Sequence, residues 1–316
     1  MMSLDAEATA QNMHIINSYV MIYRFSQFLG VAPYSVKIIK GQKILCESKF
    51  YNICAKIIYL YYVLFGVYNL QFVLRDLFLL KNLWSIIFYS LEIFTAYINF
   101  LSTPIIFLKY SKHICIIQNR LNELFTSLIS EKNEKIKGLK NTNYLLFGFN
   151  IIFIVIIFFS NWIDFTKRDL EKSFLKNLFD ASIHVPVILM MKLPSLHYVA
   201  LANVIRLIYF DLNKYIRSGL GWLEIRNVRN IENILKDIFE DVNFVFSFTI
   251  FIGIFQTFAG CVSMTVLLIT ERSTIFTLDF LAWIISYVYY FVIITCSTSL
   301  VAEEVRKVDE LKLVKF

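Results

Sequence analysis

Three ionisable side chains stand well inside long apolar runs of this 316-residue chain: Glu92, His184 and Lys192. A charge at the middle of a bilayer costs on the order of 2.5–3.5 kcal/mol on insertion scales, so such residues face a helix bundle or water. Glu92 is the one carboxylate in any apolar run, about two turns after Trp84. It can meet a polar ligand or make a structural hydrogen bond, for instance to His184. His184 can line the same pocket or be a satisfied core histidine. Lys192 and Pro194 share one run, where Pro bends the helix and Lys reaches toward water at the cytosolic end. Aromatic rings gather near the ends of these runs: Trp84, Tyr89, Phe158, Phe159, Trp162, Trp283 and Tyr287. Converging near Glu92, Gln256 and His184, they would form a cage for flat, apolar or weakly basic small molecules. Spread around the molecule, they would form an interfacial belt that needs no ligand.

Other chemistries find no footing. The sequence has no HExxH, no paired aspartates within an apolar run and no Gly-x-Ser-x-Gly, so no catalytic residue is assigned and an enzyme is not expected. His14, His113, His184 and His197 show no i,i+4 pairing. The five cysteines (46, 54, 115, 261 and 296) form no CxxC. Neither a metal site, a disulfide framework nor a cofactor is expected. The net charge of +7 is spread between apolar runs without a compact basic patch, so no nucleic-acid partner is expected.

The elements that must carry these residues are membrane helices. Apolar residues make up 58% of the chain and charged residues 17%, against about 45–50% and 25% in soluble domains. With 9 Gly and 4 Pro, the composition favours long helices over a turn-rich barrel. The expected fold class is all-α, a polytopic bundle of six spans: about 53–74, 84–108, 144–163, 181–203, 242–270 and 280–302. Each approaches or exceeds the ~20 residues that cross a bilayer. Residues 1–52 read as a cytoplasmic segment lying at the interface, with the rings of Tyr23, Phe25 and Tyr34 at headgroup depth and Lys37, Lys40 and Lys43 toward anionic lipid. Asp5 and Glu7 stand where a signal peptide would be basic, so the first span is expected to act as its own insertion signal.

Twenty-two of the 31 Lys and Arg fall in the N-terminal segment, the 109–143 and 204–241 loops and the tail, against 7 in the alternate loops. The positive-inside rule then puts both termini in the cytoplasm. Two cytoplasmic loops carry helical seams: Ile114, Ile117, Leu121, Leu124 and Leu128, and Val228, Ile231, Leu235, Ile238 and Val242. We read 109–143 and 204–241 as anchor helices that continue spans two, four and five and pack together in the cytosol. Helices lying flat on the lipid are the alternative.

Six spans with cytosolic extensions, Leu29-Gly30-Val31-Ala32-Pro33-Tyr34, the run Arg206-Leu207-Ile208-Tyr209-Phe210-Asp211-Leu212-Asn213, and Cys296-Ser297 before Glu303-Glu304-Val305-Arg306-Lys307 together resemble the insect gustatory receptor family. The resemblance covers nearly the whole chain. It implies a plasma-membrane, multi-pass subunit of a homo- or hetero-tetrameric ligand-gated cation channel. A small-molecule tastant would bind in the outer half of the bundle, with membrane lipid around it. Trp84, Tyr89, Glu92, Phe159, Trp162, His184, Gln256, Trp283 and Tyr287 are the expected ligand-binding residues. Family members close on a seventh, pore-lining span ending in Thr-Tyr, five residues, then Gln-Phe. No such segment occurs within residues 1–316, and the chain is expected to be truncated before it. The insect odorant receptors share the architecture and are the first alternative. A secondary transporter is the second, although the spans show no internal repeat and little Gly. A G-protein-coupled receptor would put the N-terminus outside, against the charge bias.

Overall fold

The computed structural model describes residues 15–18, 20–39, 42–128, 132–168, 174–175, 178, 182, 184–218, 222–270 and 276–315. Eight α-helices are labelled here in chain order: α1 (Val20–Phe28), α2 (Lys49–Leu79), α3 (Leu83–Lys109), α4 (Ser111–Leu128), α5 (Lys132–Arg168), α6 (His184–Arg217), α7 (Trp222–Thr270) and α8 (Phe276–Lys315). Six of them (α2, α3, α5, α6, α7 and α8) are long and apolar enough to cross a membrane. The chain is an α-helical bundle suited to multiple passes through a bilayer.

Helix starts follow from local chemistry. Ser48 caps α2, its Oγ accepting from the Tyr51 amide, and Asn82 caps α3, its Oδ1 accepting from the Trp84 amide at 2.8 Å. Each bond satisfies a backbone donor that the first helical turn leaves without a partner. Helix α7 has 49 residues and α8 has 40. At 1.5 Å per residue both run far past a ~30 Å hydrocarbon core. The seam of Val228, Leu235, Ile238 and Val242 is continuous with the apolar part of α7 and buried along its length. Helix α6 is the hub. Its apolar window is 83% buried, against 22–44% for the other five, and it packs on α3, α5, α7 and α8. Those other five turn most of their apolar surface outward, as a lipid-facing helix must.

The 109–143 region differs from a simple continuation of α3. Tyr110 leaves helical dihedrals (φ −103°, ψ 16°) and the chain restarts as α4. The redirection lets α4 cross α7 and bury Ile114, Ile117, Leu121 and Phe125 against protein. Its apolar seam therefore has no lipid to lie on, and residues 132–143 belong to the start of α5.

The N-terminal segment also departs from expectation. Two of its aromatic rings pack inside the protein instead of standing free toward lipid headgroups. Tyr23 and Tyr34 are buried, with Val31 and Ala32 beside them. The Tyr23 hydroxyl and the Gln27 amide both donate to the Tyr34 carbonyl. Gly30, at φ 70°, makes the turn between α1 and the following strand, and a Cβ there would stand 2.4 Å from Ile58 Cδ1. A two-stranded antiparallel hairpin follows, β1 (Tyr34–Ile39) and β2 (Gln42–Glu47), which the all-α reading omitted. Asn119 of α4 clamps it, accepting from the Leu45 amide and donating to the Leu45 carbonyl, each at 2.9 Å. One side chain thus imitates a neighbouring strand and satisfies both backbone groups.

Candidate functional site

A face of small and polar residues recurs at helical spacing along α3: Ser85, Glu92, Thr95, Asn99 and Thr103, all buried. Thr95 and Thr103 return their hydroxyls to carbonyls three or four residues back, so Glu92 and Asn99 are left to reach across the bundle. Helix α7 answers with Gln256, Gly260 and Ser263, and α8 with Ser286, Tyr287 and Tyr290. These faces meet around Lys192 of α6.

The Tyr287 hydroxyl donates to Glu92 Oε1 at 2.7 Å. Its ring stacks on Trp283, with centroids 5.6 Å apart at 29°. Gly260 makes this approach possible, because a Cβ there would fall 2.3 Å from Tyr287 Cε2. One layer over, Asn99 Nδ2 donates to Gln256 Oε1 at 3.0 Å and to the Met191 carbonyl at 3.3 Å. Gln256 Nε2 in turn reaches the Met191 sulfur. Lys192 does not extend toward water at a helix end. Its Nζ lies 3.5 Å above the centre of the Tyr290 ring, 5.1 Å from that of Tyr287 and 3.3 Å from Ser286 Oγ. Helix packing around α6 closes off the outward path, leaving the side chain 6% exposed.

Of the residues singled out in the sequence, Glu92, Gln256, Trp283 and Tyr287 come together here, and Tyr89 packs beside the same cluster. Trp84 does not join them: it is 61% exposed and stacks on Phe88. Phe159 and Trp162 form a separate edge-to-face chain with Phe158 and Phe174. The side chain of His184 lies outside the described residues, so its expected pairing with Glu92 does too. Asn99, Lys192, Ser286 and Tyr290 were not among the expected binding residues. The signal that marks them is polar spacing: each recurs three, four or seven residues from another buried polar group on an otherwise apolar helix.

The layer is tightly packed. A cavity of about 10 Å³ remains, bounded among others by Asn99, Lys192, Gln256, Tyr287 and Tyr290. That is room for one water-sized body. Two larger hollows open sideways from the bundle. One of about 430 Å³ lies between α7 and α8 against Phe251, Phe255, Phe258 and Phe291, and one of about 410 Å³ lies against Phe149, Phe153 and Tyr289. Among the described residues no group of three His, Cys, Asp or Glu could hold a metal. Comparison with known proteins yields no matching family model and no significantly similar curated protein.

Proposed function

We propose that the chain is a chemosensory receptor subunit of the gustatory type, binding a small tastant within its membrane bundle and belonging to a ligand-gated cation channel of the plasma membrane. The observation that supports this reading is the layer of buried Glu92, Gln256 and Tyr287 with half-buried Trp283. It joins helices distant in sequence (α3, α7 and α8) through hydrogen bonds and ring contacts that a polar, flat ligand could exchange for its own. A ligand competing for the Tyr287–Glu92 bond would loosen α3 from α8 and bias the bundle between two packings. The long extensions of α7 and α8, with α4 packed across α7, give such a bias a rigid path toward the charged end. In this reading the tetramer is formed through outward faces, with the termini in the cytoplasm as the charge distribution favours.

The test is a thermal-shift panel on the full chain in lipid nanodiscs, using small aromatic and weakly basic compounds, followed by recording in cells. The proposal predicts compounds that raise Tm, weaken in Glu92→Gln and Tyr287→Phe, and evoke cation current in cells expressing the native receptor complex. Gradient-driven accumulation of the compounds in vesicles, without current, would instead identify a secondary transporter.

A further inference from the structure

The geometry points to a small-anion site at Lys192, in the membrane-embedded core. It is independent of the receptor reading and would hold equally in a transporter. The Lys192 side chain is buried among helices α6, α7 and α8. As an ammonium it finds two tyrosine ring faces and one hydroxyl, and among the described residues no carboxylate lies within 4 Å of its Nζ. Glu92 accepts from the Tyr287 hydroxyl and makes no ion pair within 4 Å of Lys192 Nζ. Ring faces attract a cation but carry no net charge, so a buried ammonium here lacks a compensating anion.

The cavity beside it supplies the place. Its volume of about 10 Å³ admits a single atom-sized body and excludes a molecule of several heavy atoms. Tyr290 is also on the wall, and among the described residues its buried hydroxyl has no hydrogen-bond partner. That hydroxyl is available to donate. The Asn99 oxygen is likewise without a partner among the described residues but is an acceptor; Lys192 and Tyr290 are donors on the wall, beside the hydroxyl of Ser195. A charged donor, a hydroxyl and a one-atom cavity select a monatomic halide. A larger anion does not fit.

The experiment uses the full chain in nanodiscs made from zwitterionic lipid, at constant ionic strength. Unfolding temperature is followed while gluconate is replaced by chloride or bromide. The site predicts a saturable rise of roughly 3–5 °C with each small anion and none with gluconate. It also predicts a flat response in Lys192→Met. Should that variant fail to fold, Tyr290→Phe keeps the ring face but removes the hydroxyl, and is expected to raise the half-maximal chloride concentration roughly threefold to tenfold. Equal behaviour of gluconate and chloride in the wild-type chain overturns the proposal. So does a Lys192→Met chain that responds as the wild type does, or an unchanged half-maximal concentration in Tyr290→Phe.

Discussion

Gly260→Ala separates packing from propensity, because the two predict opposite signs. In a helix interior Ala is better than Gly by about 0.5–1 kcal/mol, so propensity alone makes the variant more stable. At this position the new Cβ would sit 2.3 Å from Tyr287 Cε2, 2.5 Å from Cζ and 2.8 Å from Cδ2. Ordinary carbon contacts begin near 3.5 Å, so the ring must retreat by about 1 Å. It cannot retreat freely, since Trp283 stacks on it and Glu92 accepts its hydroxyl at 2.7 Å. Overpacking costs about 1–3 kcal/mol, and losing the hydrogen bond to a buried carboxyl group adds about 1–3 kcal/mol. Less the propensity gain, the net loss is about 1–5 kcal/mol, or roughly 2–8 °C in Tm for a chain of this size. Thermal unfolding in nanodiscs reads it directly. In the background of Tyr287→Leu, where the ring is gone, the same Gly260→Ala change should cost little, giving a coupling above about 1 kcal/mol. A Gly260→Ala chain as stable as the wild type would refute the placement of Tyr287 against α7.

Three further outcomes follow from contacts at the polar end of the bundle. Lys135 Nζ lies 2.5 and 2.6 Å from the two carboxylate oxygens of Asp211, which is 7% exposed. Asp211→Asn should therefore cost about 3–5 kcal/mol in chemical unfolding, whereas Lys135→Met with Asp211→Leu costs less than either change alone. Asn119→Ala removes both bonds to Leu45, so hydrogen exchange at the Leu45 amide should speed up by at least tenfold while exchange in α6 is unaltered. Burial, with Glu47 and Cys46 adding to it, pushes the Cys115 thiol up to about 12. A raised value means the thiolate is absent throughout pH 7–9, so maleimide should modify half-buried Cys46 and leave Cys115 unlabelled until denaturant is added. Labelling of both at one rate would contradict the burial of the α4 seam.

The spans were legible because an uncharged run of about 20 residues has few other uses, and Glu92 because a lone carboxylate in such a run must find a partner. The partner itself was not legible. Tyr287 is one of 18 tyrosines, and the span of α8 around it is aromatic or aliphatic on nearly every face, so apolar periodicity does not say which face turns inward. Trp84 illustrates the same gap. Its distance of two turns from Glu92 suggested a shared site, yet eight residues on a helix rotate a side chain by about 800°, some 80° past two full turns, and the ring faces outward. Lys192 looked able to reach water because its stem is long. Burial by three surrounding helices, a tertiary effect, decided otherwise. The hairpin is not legible because its strands are six residues each and β1 is exposed over four of its six, which leaves no clean alternation to read.

The central claim is that the Glu92–Tyr287 layer is where a small ligand meets this bundle. The most direct measurement is the dissociation constant of the best compound from the thermal-shift panel, compared between the wild-type chain, Glu92→Gln and Phe94→Leu in nanodiscs. Phe94 lies on the same helix but points outward, 64% exposed. The account predicts at least a tenfold weakening in Glu92→Gln, about 1.4 kcal/mol, and an unchanged constant in Phe94→Leu. An unchanged constant in Glu92→Gln, or equal losses in both variants, would contradict it.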